Sequence, residues 1–426
     1  MAPMNIQPKI DQIPKKLAKY QQFSHCRLFP ESELQSVVDF GFAPLANSLQ
    51  ESRISEAPAA PLHLCFSPRA KCAQLSVTVD PEQLFSQYLW VTGTSATAEN
   101  YSKEFCQRLI SENPKAKNVA EVASNDGTFL RPFLEKGLEV LGIDPAQNIV
   151  QEANKAGIKT EALFFGKQTA SDLKQKYGSY DLVIARNVLP HVPDSREIVA
   201  GMAELLNDEG VGAIEFHSAR TIFEQLHYDS IYHEHVYYFT LTCMTLMLKS
   251  YGLEPYDIFK SPISGGSIVV LFSKQQRKQG YELLNELSQE ENSGVLTTDG
   301  WRKFSERVQI HIGKFKQLLD KEIESGKHLV GYGASARSMT LIHASQTTAL
   351  IGQIIDNNLL KQNLFSSTGN IPILSSEKIN FSDPKLSIVL LAWNFTDELL
   401  TLLKQKHKFS GNVVVPLPSL PKIVSL

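Results

Sequence analysis

Long hydrophobic runs are scarce in this chain of 426 residues. The longest, such as Leu386–Trp393, fall far below the roughly 18 apolar residues that a membrane-spanning helix requires. Cysteine is scarce too, and five unevenly spaced cysteines do not make a disulfide framework. We therefore expect a cytoplasmic protein in a reducing setting, without a membrane partner.

An excess of charge is also lacking, since 42 Lys and Arg face 45 Asp and Glu and the net charge is −3. Proteins that bind nucleic acid carry a basic patch or stripe, so we expect no nucleic-acid partner. The composition is otherwise that of an ordinary globular protein, and the length predicts about three domains.

Short apolar strands alternate with helical segments from residue 118 onward. The strands expected are Val119–Val122, Leu138–Ile143, Tyr180–Ala185 and Val211–Phe216, and a second series starts at His328. This alternation predicts an α/β fold with parallel sheets. We expect a small N-terminal module (1–80), a central Rossmann-like domain (81–275) and a second Rossmann-like domain (276–426).

Two helical regions are predicted outside these strands. Residues Pro81–Ile110 have a helical pattern. Within 275–327, apolar residues recur at a spacing of three to four, which predicts one buried helix face: Trp301, Phe304, Val308, Phe315, Leu319 and Ile323.

The first candidate site is the turn Glu121–Gly127, with Asp144 at the end of the next strand. In a Rossmann-type sheet, an acid about 20 residues beyond such a turn binds the hydroxyls of a ribose. The turn has one glycine, and Asn125 and Asp126 replace the bare backbone that a pyrophosphate needs. A nucleoside without phosphate, such as S-adenosyl-L-methionine, fits this pattern; an ordinary capped turn is the alternative.

The second candidate site is a run of titratable side chains: Tyr232, His233, Glu234 and His235. Histidine moves protons near neutral pH, tyrosine donates to a developing oxyanion, and a carboxylate can fix a histidine tautomer. His191 follows a strand at the sheet edge where ligands bind, so it is a second acid/base candidate. A polar loop with stacked aromatics or a metal-binding histidine pair is the alternative.

A third pattern, Gly331–Ala336 followed by Asp356, is similar to a dinucleotide fingerprint. It leaves open an NAD(P)-dependent oxidoreductase, or a turn that binds nucleotide weakly or not at all.

Taken in order, these segments resemble one family: the bacterial S-adenosylmethionine-dependent C-methyltransferases that methylate nucleotide-linked deoxysugars. The resemblance covers nearly the whole chain and rests on Phe42–Leu49, Glu121–Gly127, Gly142–Pro145, Arg186–Asp194, Tyr232–Tyr238, Gly265–Ser267, Gly331–Ala336, Ile371–Ile373 and Leu391–Phe395. It implies a central class I methyltransferase domain, with the nucleotide-sugar held between it and the C-terminal domain.

The resemblance also implies roles for individual residues. His235 is the expected base at C3 of a 4-keto sugar, Tyr232 and His191 donate to the enolate oxygen, Glu234 orients the histidine, and Tyr88 lies upstream. The expected cofactor-binding residues are Glu121, Ala123, Ser124, Asn125, Asp126, Gly127, Asp144, Pro145 and Asn187. The expected substrate-binding residues are Gly333, Ala334, Ser335, Asp356, Trp393 and Asn394.

Two departures from the family pattern stand out. Of the family's four zinc-binding cysteines, Cys26 and Cys72 remain, while Phe29 and Arg69 replace their partners. Two ligands do not make a structural zinc site, so we favour a metal-free module, with Cys65, His25 or His63 as substitutes if zinc binds. Ser264 replaces the histidine that usually precedes the Gly-Gly-Ser turn, and the Arg that follows the turn is missing.

These departures leave the substrate open. A non-sugar carbon acid or a non-catalytic descendant remain alternatives. We expect a small-molecule substrate and favour a monomer over a dimer.

Overall fold

The structure, a computed structural model, describes residues 14–85 and 96–426. Tyr88, one of the expected catalytic residues, lies outside the described residues. The first five strands of the described chain are β1 (Tyr20–Gln22), β2 (Gln35–Pro44), β3 (Ala59–Ser67), β4 (Cys72–Leu75) and β5 (Val77–Val79). β2, β3 and β4 are antiparallel neighbours, and β1 pairs with β5.

The next eight strands are β6 (Asn118–Val122), β7 (Glu139–Ile143), β8 (Thr160–Glu161), β9 (Tyr180–Arg186), β10 (Leu206–His217), β11 (Tyr237–Tyr238), β12 (Glu254–Ser261) and β13 (Ser267–Ser273). Seven of them form the central sheet in the order β8-β7-β6-β9-β10-β13-β12. β6 to β10 are parallel in it, and β13 is antiparallel to both its neighbours. The strand order reverses between β6 and β9, which is where open α/β sheets bind ligands.

β11 is not part of the central sheet; it pairs with β4 of the N-terminal sheet. The helices of this region are α1 (Pro81–Phe85), α2 (Ala96–Glu112), α3 (Arg131–Glu135), α4 (Gln147–Lys155), α5 (Lys167–Tyr177), α6 (Ser195–Leu205), α7 (Ala219–Glu224) and α8 (Leu241–Ser250). Successive residues of β6, such as Val119 and Ala120, belong to different apolar clusters, because a strand alternates its side chains between the two sheet faces.

The C-terminal region holds a second sheet. Its elements are α9 (Tyr281–Ser293), α10 (Thr298–Glu324), β14 (His328–Tyr332), α11 (Ala336–Ser345), β15 (Ile351–Ile355), β16 (Ile373–Leu374), β17 (Leu386–Leu390), α12 (Thr396–Gln405), β18 (Asn412–Val415) and β19 (Lys422–Ser425). The order is β16-β15-β14-β17-β18-β19, with β19 alone antiparallel to its neighbour.

One apolar cluster joins the two ends of the chain. It contains Phe66 of β3, Trp301 and Phe304 of α10, and Ile388 of β17. The N-terminal sheet therefore packs against the C-terminal region through α10, while the central sheet has its own clusters.

The α/β class expected from the sequence is confirmed, and each of the four strands expected in the central region is present. The expected face of α10 is buried as far as Leu319, but Ile323 is 38% exposed, because the helix ends one residue later. The helix expected over Pro81–Ile110 is described in two parts, α1 and α2. No helix within the described ranges is long and apolar enough to span a membrane.

Candidate active site

The loop after β6 turns sharply at the carboxyl edge of the central sheet. Ala123, Asn125 and Gly127 have positive φ angles of 54°, 50° and 76°. The loop's N–H groups are bonded locally: Asn125 N–H donates to Asp144 Oδ2 at 3.0 Å, and Gly127 N–H donates to Ser124 O at 3.1 Å. A pyrophosphate is held by N–H groups that point at it, so this loop suits a ligand recognised by side chains.

Asp144 ends β7 beside this loop. Its Oδ1 accepts from Ala146 N–H at 2.9 Å and its Oδ2 from Asn125 N–H, so each oxygen keeps a lone pair for a ribose hydroxyl. Burial raises the pKa of Asp144, and the two N–H donors oppose that rise. A side chain at Gly142 would collide with Ser124 Oγ, so the glycine allows β7 and the loop to approach closely.

Two buried polar atoms at this loop have no hydrogen-bond partner among the described residues, Ser124 Oγ and Glu121 Oε2. Burial raises the pKa of Glu121 to about 8 although Arg186 opposes the rise. Buried polar atoms are nearly always bonded in native proteins, so these atoms fit the polar groups of a nucleoside ligand. The residues present therefore fit S-adenosyl-L-methionine.

Tyr232 and His235 form a hydrogen-bonded pair. Tyr232 Oη lies 2.9 Å from His235 Nε2, and His235 Nδ1 lies 3.2 Å from the carbonyl of Ser230. A carbonyl can only accept, so Nδ1 carries the proton and Nε2 is the basic atom, bonded by the tyrosine hydroxyl. The pKa of His235 is well below its usual value, first because of burial and then because of His191 and His217.

His191 is brought beside this pair, with its ring centroid 4.8 Å from that of His235. Burial lowers the pKa of His191 to about 4, and a hydrogen bond to the backbone of Glu234 opposes the decrease. Both imidazoles are therefore neutral near pH 7. The structure thus places three of the expected catalytic side chains together.

Glu234 does not take the position expected for it. Its Oε1 accepts from Asn47 Nδ2 at 2.9 Å, whereas the ring of His235 is oriented by the Ser230 carbonyl. His233 also faces the N-terminal sheet, where its Nε2 lies 3.2 Å from Ala60 O. The expectation that Glu234 orients the histidine through its carboxylate therefore needs correction: Glu234 joins this segment to the N-terminal module.

The C-terminal turn Gly331–Ala336 repeats the geometry of the first loop, but its backbone N–H groups are already bonded within the protein. Ala334 N–H donates to Asp356 Oδ2 at 2.8 Å, Gly333 N–H donates to Ile355 O, and Ser335 N–H donates to Ser338 Oγ. Lys361 donates to Ala334 O at 2.8 Å and lies 3.9 Å from Asp356. With these groups already bonded, the turn offers little to a dinucleotide pyrophosphate.

Trp393 reaches the central region. Its Nε1 donates to Asp229 Oδ2 at 2.7 Å, and Arg337 of α11 donates to both oxygens of the same carboxylate at 3.0 Å.

Asn394 and Pro145, also expected at binding sites, are exposed. Asn187 directly follows β9 and has a φ of 50°. Its N–H donates to Glu215 O of the neighbouring strand β10.

Two further histidines near this site carry no motif and were missed by sequence reasoning. The rings of His217 and His227 are 5.6 Å apart, and that of His227 is 4.9 Å from Trp393. Their proximity depends on the fold, since His217 ends β10 and His227 follows α7.

The cysteine module does not fit zinc. At the two positions where the family has further cysteines, the Arg69 guanidinium lies 5.6 Å from the centroid of the Phe29 ring. Cys26 Sγ accepts from Gln74 Nε2, and burial raises the pKa of Cys72 well above its usual value. Within the described ranges, no group of three or more His, Cys, Asp or Glu residues could hold a metal.

The reversal of strand order, the loop after β6 and the acid that ends β7 are the features of a class I methyltransferase fold. Three family models match in chain order: a putative zinc binding domain (26–85), a methyltransferase domain (96–258) and a C-methyltransferase C-terminal domain (262–418). The chain belongs to the S-adenosylmethionine-dependent C-methyltransferases.

A relative that matches nearly the whole chain agrees with this assignment. The C-methyltransferase NovU of Streptomyces niveus is 27% identical over 94% of this chain and 96% of its own length. A ubiquinone biosynthesis O-methyltransferase of Escherichia coli is 29% identical over 22% of this chain and 40% of its own. Among solved structures, magnesium protoporphyrin IX methyltransferase from Synechocystis with bound S-adenosylmethionine covers 41% of this chain and 78% of its own, at 18% identity and a TM-score of 0.32.

Proposed function

We propose that the enzyme methylates C3 of a 4-keto nucleotide-activated deoxysugar. The observation that carries this proposal is the Tyr232–His235 pair, an acid/base couple beside a second neutral imidazole at the edge of a methyltransferase sheet. The full-length similarity to a C-methyltransferase supports transfer to carbon rather than oxygen.

Carbon becomes a nucleophile when a proton beside a ketone is removed and the charge moves to oxygen. S-adenosyl-L-methionine, when bound, supplies an electrophilic methyl group on a sulfonium. Asp144 binds the ribose of this donor through the lone pairs that its loop leaves open, and Ser124 and Glu121 contact its polar groups. The remaining cofactor contacts come from the Ala123–Gly127 loop, Pro145 and Asn187.

His235 removes the proton through Nε2. The entering ketone takes the Tyr232 hydroxyl away from Nε2, and the neighbouring C–H then lies against the freed lone pair. Once Nε2 is protonated it can no longer accept from Tyr232, so the hydroxyl stays on the enolate oxygen. General acid–base help of this kind contributes about 10²–10⁴-fold to the rate.

His191 keeps the charge on one ring. Two imidazoles with centroids 4.8 Å apart cannot both be cationic at low cost, so protonation of His235 requires a neutral His191. The enolate then offsets the new imidazolium charge until the methyl group is transferred.

The nucleotide-sugar lies between the central and C-terminal domains, with its nucleoside or sugar, and not its diphosphate, against the Gly333–Ser335 turn and Trp393. We propose the domain boundaries expected from the sequence, and a cytoplasmic monomer; the five cysteines, free and buried in the structure, support the reducing setting. A non-sugar carbon acid would use the same Tyr232–His235 chemistry. The bonded N–H groups of the C-terminal turn argue against the NAD(P) alternative.

Deuterium exchange at C3 tests the base. In D₂O with S-adenosylhomocysteine and a 4-keto nucleotide-sugar, the wild type should exchange the C3 proton, and His235→Asn should lose exchange by at least about 10²-fold. Unchanged calorimetric binding of S-adenosylhomocysteine would show that the variant is folded. If His235→Asn still exchanged at the wild-type rate, another group would be the base.

A further inference from the structure

A second imidazole pair lies on the C-terminal side of His235. His217 ends β10 and is paired in register with Ser267 of β13, while His227 lies between α7 and the short turn Tyr228–Ser230. His227 is 1% exposed, and its ring lies between that of His217 and the indole of Trp393.

Unbonded polar atoms are concentrated at this pair. His217 Nε2 and both ring nitrogens of His227 are buried without a hydrogen-bond partner among the described residues, and so are Ser230 Oγ and Ser267 Oγ. Native proteins rarely leave buried polar atoms unbonded, because each such atom has lost water without replacement. The proposed donor site shows the same feature at Ser124 and Glu121, which suggests a ligand here as well.

His311 shows that a buried histidine of this chain can be bonded at both ring nitrogens. His311, at 0% exposure, has Nδ1 3.1 Å from Tyr228 Oη and Nε2 2.8 Å from Pro416 O. A histidine that serves only packing can therefore be fully bonded in this fold. His227 is buried to the same degree but makes neither bond.

The pair adjoins the reacting groups. The carbonyl of Ser230, which ends the short turn after His227, accepts from His235 Nδ1, and His217 is among the groups that lower the pKa of His235. The rings therefore follow one another from His191 and His235 to His217 and His227, from the methyltransferase sheet to the C-terminal domain.

Charge limits what the pair can bind. Arg337 is held by both oxygens of Asp229, which is fully buried, so its charge is already balanced. Burial holds the pKa of His227 at about 3 and that of His217 well below its usual value. Neutral imidazoles offer one donor and one acceptor each, which matches hydroxyl groups better than a diphosphate.

We propose that His217 and His227 bind ring hydroxyl groups of the acceptor sugar and so set which sugar is methylated. This inference rests on the proposed function, because it requires a hydroxylated acceptor. Asp229 and Arg337 act as positioning residues, since Arg337 holds the Asp229 carboxylate, and that carboxylate fixes Trp393 beside His227.

The test compares acceptors that differ by one hydroxyl. His227→Phe keeps a ring of similar shape and removes both nitrogens, and His217→Phe is the second variant. Turnover is measured with a 6-deoxy-4-keto nucleotide-sugar and with counterparts that also lack the C2 or the C3 hydroxyl, one at a time. His311→Phe is the matched control, because it removes a histidine whose nitrogens are bonded.

We expect His227→Phe to lower kcat/KM by about tenfold or more, mainly through KM, for the sugar that keeps both the C2 and the C3 hydroxyl. The variant should lower kcat/KM little for the counterpart that lacks the hydroxyl bound by His227. Its Tm should be unchanged or higher, because two unbonded nitrogens are removed, whereas His311→Phe should lose Tm. A lower Tm in His227→Phe with unchanged acceptor preference would make the residue structural and overturn the proposal.

Failure of the proposed function has a different signature. If the wild type turned over none of the nucleotide-sugars while still binding S-adenosylhomocysteine, the sugar assignment would fail and the hydroxyl-binding role with it. If the wild type turned them over and both variants kept its preference, this inference alone would fail.

Discussion

Single residues distinguish the two Rossmann-type turns of this enzyme. Asp144 and Asp356 end equivalent strands, and each accepts one N–H from the preceding turn and one from two residues further along. Lys361 lies 3.9 Å from Asp356 and donates to the carbonyl of Ala334. The first turn therefore remains suited to a ribose, while Lys361 occupies the corresponding position beside the second turn.

This contrast predicts different effects for two matched substitutions. Asp144→Asn removes the charge that would receive the ribose hydroxyls, so affinity for S-adenosylhomocysteine should fall by about 1.5–3 kcal/mol, roughly 10- to 150-fold. Asp356→Asn, with the same loop contacts, should leave it unchanged. Isothermal titration of both variants measures this, and equal losses would mean that the effect comes from the turn and not from a ligand contact.

At the scale of elements, the segment 231–238, which carries the Tyr232–His235 pair, depends on the N-terminal module. Its β11 pairs with β4, and Leu75 N–H donates to Val236 O at 2.9 Å. Glu234, bonded to Asn47, is buried with a raised pKa because of desolvation. The module thus supports the position of Tyr232 and His235 without reaching the reacting atoms.

The structure also shows which contacts hold this module together at the positions where the family has cysteines. Phe29 and Arg69 stack on each other, Arg27 donates to Gln74 and Leu75, and Cys26 accepts from Gln74. Packing and hydrogen bonds thus hold together the two loops that a metal would otherwise join.

Restoring the missing thiols should therefore create a zinc site. We expect the wild type to purify without stoichiometric zinc and to keep its Tm in a chelator. The double variant Phe29→Cys/Arg69→Cys should bind about one zinc per chain, because four thiolates complete a tetrahedral site. Elemental analysis and melting curves with and without chelator measure this, and stoichiometric zinc in the wild type would contradict our interpretation.

Element boundaries were largely predictable, because apolar runs such as Val119–Val122 end at turn residues and the alternation of strands and helices is regular. The Tyr232–His235 pair was predictable as a cluster of titratable groups. The partner of Glu234 was not, because Asn47 lies 187 positions away and the contact depends on how β11 joins a distant sheet. The role proposed for His227 could not be predicted for a similar reason, since Trp393 is far from it in sequence and its contact with the ring of His217 depends on the fold.

For the whole molecule, the buried histidines determine the response to acid. Burial lowers the pKa of His191 to about 4, of His227 to about 3 and of His233 to about 4. The unfolded chain binds protons at these positions below pH 6.5, and the folded chain does not until pH falls to these values. The free energy of unfolding should therefore decrease as pH falls from 6.5 to about 4.

Each such histidine contributes a slope of about 1.4 kcal/mol per pH unit. Glu121 opposes them, because its pKa of about 8 lets the folded state hold a proton that the unfolded state releases above pH 4.5. The pKa values of Asp144, Glu234 and Glu290 are also raised and oppose the histidines in the same way. The lowered pKa values of further buried histidines add to the first three, so the net slope stays positive with pH: His217, His235, His311 and His343. Denaturant unfolding between pH 4 and 7 measures it, and a flat profile would show that these histidines titrate normally in the folded protein.

The pairing of β11 with β4 also affects how the chain is made. On a ribosome, β4 emerges long before Tyr237 and Tyr238, roughly 8–30 s earlier at 5–20 residues per second. During that interval one edge of the N-terminal sheet has no partner, and an unpaired strand edge is where chains associate wrongly. The yield of folded enzyme should therefore depend more on the rate of synthesis and the supply of chaperones than on the stability of the finished fold.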